Sequence, residues 1–104
     1  CACGIMVHEA MKAASILAQQ DITAEVLDCR SIAPLHERSI LDSVHTTGCC
    51  VVAEEHSSRG GLGEAVATLL CKSYPVPCRF PKNFHFLYLS FHPSNFIVAE
   101  RICQ

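Results

Sequence analysis

The sequence has little charge, and neither sign is in large excess. Lysine and arginine number 8 and aspartate and glutamate 10, which leaves a formal net charge of -2 at neutral pH. Such a chain has no electrostatic reason to bind nucleic acid or an anionic membrane. No apolar run approaches the length of a membrane span, and no basic start followed by an apolar core indicates a signal peptide. We therefore expect no nucleic-acid partner, no membrane, and a cytoplasmic location, or an organellar one if a targeting segment lies upstream.

The cysteines lack the spacing of a metal site, although the sequence contains 8 of them. No CxxC pair occurs, and Cys1 and Cys3 have no second pair to join them, so we do not expect zinc. Four cysteines fall inside predicted strands or helices, where free cysteine serves as a small apolar residue. They are Cys29, Cys49, Cys50 and Cys71. A disulfide framework is not expected either, because the chain has enough core without one.

The length indicates one domain with a single core, since the chain has 104 residues and half of them are hydrophobic. That size is small for an enzyme that must enclose a cofactor of its own. The chain begins at Cys1 rather than at a methionine, and we expect it to be a fragment or a processed segment.

Helical and extended patterns alternate along the first three quarters of the chain. The predicted elements are a helix that follows Gly4 and ends near Gln20, a strand over 24–29, a helix that Pro34 introduces and Gly48 stops, a strand over 49–53 and a helix over 64–70. Strands and helices in alternation specify a parallel sheet with right-handed crossovers. The fold class is therefore α/β.

The last quarter of the chain has weaker patterns. Residues 75–80 are predicted as a short strand, which the prolines at 75 and 77 restrict to an edge or a strand end. Residues 96–102 are interpreted as what remains of a closing helix.

A polar, glycine-rich loop follows the predicted strand over 49–53. In open α/β sheets, loops at the carboxyl ends of strands are where ligands and partners usually bind. The candidate interface or loop site therefore consists of Glu54, Glu55, His56, Arg59, Gly60, Gly61 and Gly63.

Two chemical interpretations of this loop compete with structural ones. His56 and its neighbouring carboxylates could act as a general base and its orienting acid. Consecutive residues at a strand end point in different directions, however, which favours a role in capping the next turn and bridging to a neighbouring domain. The glycines could bind phosphate at the helix start, but the GxGxxG spacing is absent and close packing of the backbone is favoured. No catalytic, cofactor-binding or metal-binding residue is predicted.

Three segments, at residues 4–14, 22–35 and 54–63, resemble in order and spacing the C-terminal domain of the transketolase family. That family includes transketolase, 1-deoxyxylulose-5-phosphate synthase and the beta subunits of 2-oxo acid dehydrogenases. The chain is interpreted as one domain, residues 1–104. The resemblance is clear over residues 1–78, and the sequence diverges from the family over residues 79–104. It implies a three-layer α/β/α sandwich with a mostly parallel mixed sheet. The first strand is largely missing, since only residues 1–3 remain of it, and we expect an incomplete sheet edge.

The resemblance also implies a function. The chain would be the non-catalytic C-terminal domain of a transferase that moves a two-carbon ketol or acyl unit. The parent enzyme would use thiamine diphosphate and Mg²⁺, bound by other domains and not by this chain. This domain would support a homodimer and brace the neighbouring cofactor domain, so its partners are other domains or subunits of the parent enzyme. The alternatives are a free-standing interaction module with the same fold and the C-terminal domain of a 2-oxo acid dehydrogenase beta subunit.

The resemblance further implies one weak helix start. His36 stands where family members often carry an aspartate before the second helix. Histidine is not among the preferred N-cap residues, whose side-chain oxygen binds a free amide of the first turn. We therefore expect the second helix to begin without a side-chain cap.

Overall fold

The computed structural model describes residues 1–55 and 59–80, and the backbone of residues 100–102. In these ranges the helices are α1 (Met6–Ala18), α2 (Glu37–Thr47) and α3 (Leu62–Ser73), and the strands are β1 (Val26–Asp28), β2 (Cys50–Val51), β3 (Cys78–Arg79) and β4 (Glu100–Ile102). The α/β alternation predicted from the sequence is confirmed. No helix among the described residues is long and apolar enough to cross a membrane.

The strands form one layer in which every described pairing between strands is parallel. β1 pairs with β4, and β2 pairs with β3. Residues 1–3 join these two pairs, because Ala2 lies in parallel register with both Asp28 and Ala53. The order across the layer is therefore β4, β1, residues 1–3, β2, β3.

The expected incomplete sheet edge is wrong, because the short first strand lies at the centre. The Ala2 N–H donates to the Leu27 carbonyl at 2.9 Å on one side, and the Ala53 N–H donates to the Cys1 carbonyl at 2.9 Å on the other. The cause is the chain path. The connection through α1 leads to β1 on one side of residues 1–3, and the connection through α2 leads to β2 on the other side.

Apolar side chains pack on both faces of this layer. On one face, Leu27 and Val52 pack with residues of α2 and α3, and on the other, Ala2 and Ala53 pack with Met6 of α1. Helices on both faces make the α/β/α sandwich that the resemblance implied. The largest fully buried side chains are those of Leu27, Ile40, Leu62, Leu70, Val52 and Val66.

The helix predicted over residues 96–102 is wrong at its end, where residues 100–102 form β4. These three residues pair in parallel register with the three residues of β1. The pairing satisfies backbone groups on the side of β1 that faces away from residues 1–3, which a helix at that place would leave without partners. The remainder of that prediction, residues 96–99, lies outside the described residues.

Two of the four cysteines interpreted as apolar core residues are in the core, and a third, Cys49, is partly buried. Cys29 is 5% exposed and Cys50 is 7% exposed. The interpretation is wrong for Cys71, which is exposed. Cys71 follows the buried Leu70 on α3, and one residue further along a helix turns the side chain away from the core.

Candidate functional site

Glu54 follows the end of β2, and its carboxylate caps the start of α3. Its Oε2 accepts a hydrogen bond from the Leu62 N–H at 2.7 Å, and its Oε1 accepts one from the Gly63 N–H at 2.9 Å. These are the first two residues of the helix, whose amides have no partner within it. The positive end of the helix dipole also favours a carboxylate here. A side chain that is distant in sequence therefore supplies the cap that Gly61, the N-cap residue, cannot supply.

Glu64 makes the reciprocal contact from the first turn of α3. Its Oε2 accepts a hydrogen bond from the Gly60 N–H at 2.7 Å. A glutamate at the third helical position makes such a contact to the N-cap amide in a capping box, and here the amide is one residue further out. Gly60 has a φ of +74°, in the left-handed region that glycine adopts without steric cost. This turn therefore requires glycine at position 60.

Gly61 and Gly63 allow the Glu54 carboxylate to approach the helix. Both glycines are buried. A Cβ atom on Gly61 would overlap the Glu54 carboxylate, with its carbon Cδ only 2.8 Å away. A Cβ atom on Gly63 would lie 2.7 Å from two ring atoms of Phe80 and 3.1 Å from Glu54 Oε1. The glycines thus leave room for two side chains, those of Glu54 and Phe80, whereas the close packing against another backbone that the sequence favoured stays a prediction.

The other predicted site residues lie at the surface or outside the described part of the chain. Glu55 and Arg59 are exposed. His56 lies outside the described residues, so the pairing of a histidine base with a neighbouring carboxylate stays a prediction. The structure brings together Glu54, Gly60, Gly61 and Gly63 from the predicted set.

Sequence reasoning missed two residues that complete the loop, Glu64 and Phe80. Glu64 could have been found, because an acidic residue three positions after a helix N-cap is the signal of a capping box. Phe80 follows β3 and packs near Gly63 through tertiary structure alone, so no local pattern indicates it.

A shallow groove of about 480 Å³ runs beside the loop. Gly60, Gly61 and Glu64 form one wall, and Ile32 and Leu35, which precede α2, form part of the other. The Ile32 side chain is 41% exposed. The groove therefore places an exposed apolar side chain near the Glu64 carboxylate.

The start of α3 does not fit the diphosphate group of thiamine diphosphate. A phosphate at the start of α3 would need the amides of Leu62 and Gly63, which the Glu54 carboxylate already occupies. The Gly60 amide is bound by a second carboxylate, that of Glu64. Among the described residues, no three His, Cys, Asp or Glu side chains are grouped so that they could hold a metal ion. An incoming anion would have to displace like charge.

Comparison with known proteins gives a match to a family model over most of the chain. The model described as "Transketolase, C-terminal domain" matches residues 1–88. The resemblance drawn from the three sequence segments is thereby confirmed.

The relatives include both branches that the sequence left open. The 6-deoxy-6-sulfo-D-fructose transketolase subunit of Clostridium sp. (strain MSTE9) is 49% identical over 78 residues, which are 75% of this chain and 24% of that protein. The pyruvate dehydrogenase E1 component subunit beta of Bacillus subtilis (strain 168) is 41% identical over 63 residues, which are 61% of this chain and 19% of that protein.

Among solved structures, the chain is similar to a split gene transketolase, described as an inactive beta4 tetramer. The TM-score is 0.74 and the sequence identity 43%, over 76% of this chain and 26% of that one. The chain therefore spans about a quarter or less of the length of the proteins it matches.

Proposed function

The chain belongs to the family of transketolase C-terminal domains, and from this premise we propose that it is the non-catalytic C-terminal domain of a thiamine-diphosphate-dependent transferase of the transketolase type. The parent enzyme moves a two-carbon ketol or acyl unit from a ketose or 2-oxo acid to an acceptor. The observation that carries the non-catalytic part is the Glu54 carboxylate on the first amides of α3. It occupies two of the backbone amides at the start of α3 that would otherwise attract a diphosphate.

Two carboxylates in the described part of the loop support a structural role, because both bind backbone amides. Glu54 connects the end of β2 to the start of α3, and Glu64 closes the turn at Gly60. A segment held by such contacts can present exposed side chains to another protein surface at low entropic cost. In our proposal, Glu55 and Arg59 make such contacts with the neighbouring cofactor domain or with a second subunit of a homodimer.

The names of the similar proteins support assembly with other chains. The Clostridium relative is a subunit, and the solved neighbour is a beta4 tetramer. We extend this to the present chain as a homodimer that contacts the other domains of a cytoplasmic parent enzyme.

Calorimetric titration with thiamine diphosphate and Mg²⁺ tests the non-catalytic role. Circular dichroism first establishes that the chain is folded, and a complete transketolase serves as the positive control. We expect no binding heat for the chain and a clear signal for the control. Micromolar binding by the chain would overturn the proposal and would make residues 54–63 a cofactor site.

Sedimentation velocity tests the contact role of the loop. We expect the chain to self-associate at micromolar concentration, and the double variant Glu55→Ala/Arg59→Ala to shift the equilibrium toward monomer. Arg38→Ala is the matched control, because the Arg38 side chain is 95% exposed and lies on α2 rather than in the loop. A chain that stays monomeric, or a control that dissociates as readily as the double variant, would contradict the proposal.

One alternative has an observation in its favour. The identity with a pyruvate dehydrogenase beta subunit supports the C-terminal domain of a 2-oxo acid dehydrogenase. By resemblance, the Glu-Glu-His form of the motif at residues 54–56 is closer to transketolase or 1-deoxyxylulose-5-phosphate synthase. The upstream gene sequence separates both parent enzymes from the free-standing module, since only a parent enzyme encodes an adjoining thiamine-binding region.

A further inference from the structure

Two cysteines face each other across the strand pair β2 and β3. Cys50 and Cys78 are direct partners in the parallel register. Neighbouring strands lie about 4.8 Å apart, so the two Cα atoms fall within the range of about 4.4–6.8 Å that a disulfide spans. Cys50 is part of a buried apolar cluster against which Cys78 packs.

The two thiols differ in acidity. Interaction with the Cys78 thiol lowers the pKa of Cys50 to about 7, against the opposing effect of burial. Interaction with Cys50 raises the pKa of Cys78 far above its usual value, and burial adds to this. A lowered pKa favours Cys50 as the sulfur that reacts first, because the thiolate is the form that reacts with oxidants.

We propose that Cys50 and Cys78 are an oxidation site, at which a peroxide converts the two thiols into a disulfide between β2 and β3. In the first step, the Cys50 sulfur attacks the O–O bond, an S–O bond forms and hydroxide leaves, which yields a sulfenic acid. In the second step, the Cys78 sulfur attacks Cys50 Sγ, an S–S bond forms, the S–O bond breaks, and water leaves with the Cys78 proton. Two electrons pass from the thiols to one peroxide, which is reduced to two waters once the hydroxide takes up the proton that Cys50 released.

Cys1 is the competing partner, because its Sγ lies 3.9 Å from Cys50 Sγ. Ala2 is in register with Ala53, which places Cys1 opposite Val52 and two residues out of register with Cys50. Two steps of about 3.3 Å along the strand and about 4.8 Å across it separate those Cα atoms by roughly 8 Å. That separation exceeds what a disulfide spans without backbone movement. Cys78 is therefore the resolving cysteine.

The disulfide would enclose the candidate loop and α3 in a covalent ring, since both lie between residues 50 and 78. It would also attach β3 to the sheet. The oxidation site is independent of the parent enzyme's reaction, because no residue of the proposed assembly contacts takes part in it.

Peptide mapping after peroxide treatment tests the proposal. The reduced 104-residue chain is treated with hydrogen peroxide, remaining thiols are alkylated, and the protein is cleaved with trypsin without reduction. We expect the peptide 39–59, which contains Cys49 and Cys50, to be joined to the peptide 73–79, which contains Cys78. A link from 39–59 to the peptide 1–12, or no link at all, would overturn the proposal.

Serine variants identify the two sulfurs. Cys50→Ser and Cys78→Ser should each abolish the link, whereas Cys49→Ser should retain it. Cys49 is the matched control because it lies in the same peptide, and its thiol donates instead to the Thr47 carbonyl at 3.7 Å. A link that survives in Cys50→Ser, or that disappears only in Cys49→Ser, would assign the reaction to Cys49 and refute the proposed pair.

Two further measurements do not depend on forming the link in a variant. In Cys78→Ser the sulfenic acid on Cys50 cannot be resolved, so labelling of peptide 39–59 by dimedone should rise several-fold over the wild-type chain. The oxidised wild-type chain should melt about 5 °C or more above the reduced chain, because the ring restricts the unfolded state. Equal labelling together with equal melting temperatures would contradict the proposal.

Discussion

Helices α3 and α2 begin in different ways. The first two amides of α3 bind the Glu54 carboxylate at 2.7 and 2.9 Å, whereas His36, the N-cap residue of α2, makes no side-chain hydrogen bond to its helix. Residues 36–38 are exposed, so water can reach the start of α2. The long-range cap of α3 joins the end of a strand to the start of the next element. The start of α2 has no such connection.

Among the changes at these helix starts, removing the Glu54 carboxylate should lower the stability of the protein most. Glu54→Ala deletes two hydrogen bonds to a charged acceptor, and we expect the free energy of unfolding to fall by about 2–3 kcal/mol. Glu54→Gln keeps one acceptor oxygen and should lose less. Urea denaturation followed by circular dichroism measures both. Glu55→Ala, at the exposed neighbouring position, should stay within about 0.5 kcal/mol of wild type. Equal effects at the two positions would refute the cap.

Alanine at the two buried glycines should distinguish a contact with the capping carboxylate of Glu54 from a contact with the ring of Phe80. Gly61→Ala should cost about 1–2 kcal/mol, because the new Cβ displaces the Glu54 carboxylate from its amides. Gly63→Ala should change stability by less than about 0.5 kcal/mol. The Phe80 ring it meets is 46% exposed and can turn away, and alanine gains helix propensity over glycine.

A double-mutant cycle sharpens this test. In a Glu54→Ala background there is no carboxylate for the Cβ atom at position 61 to displace. The loss of stability caused by Gly61→Ala should therefore largely vanish. Additive costs would show that the glycine is needed for another reason.

Adding a cap to α2 should have a smaller effect of opposite sign. His36→Asp supplies the acceptor that the helix lacks, and we expect a gain of about 0.5–1 kcal/mol in the free energy of unfolding above pH 5. His36→Ala is the control and should be nearly neutral, since the histidine makes no capping bond. If the aspartate does not raise the free energy of unfolding, the first amides of α2 already have adequate partners. The two helix starts then do not differ in their contribution to stability.

The start of α1 provides the smallest expected effect. Glu9, in the first turn, binds Lys12 at 2.8 Å, and this hydrogen bond lowers the carboxyl pKa below its ordinary value. A lowered folded-state pKa contributes stability above the unfolded value of 4.5 and loses it as the pH falls through the folded value. Lys12→Met should return the Glu9 pKa, followed by NMR titration, toward 4.5. Unfolding at neutral pH should barely change, because both side chains are in solvent. An unaltered pKa would assign the shift to the helix dipole instead.

The predictions from sequence succeeded where the signal is local. The stop of α2 at Gly48 is confirmed, with φ +74° in the left-handed conformation, and the missing cap at His36 is confirmed as well. The start of α3 was predicted two residues late, at Glu64 rather than Leu62. Leu62 and Gly63 are helical because their amides are bound by a residue outside the helix, and no pattern within the helix shows this.

The sequence alone determined the α/β class and the three helices, because apolar periodicity and capping glycines act between residues a few positions apart. Tertiary structure decided the central place of residues 1–3, the pairing of Cys50 with Cys78, and the use of Glu54 as a cap. Each of these depends on strand order or on a contact between separate elements. Such contacts form only when the sheet assembles, so their partners cannot be read from either segment by itself.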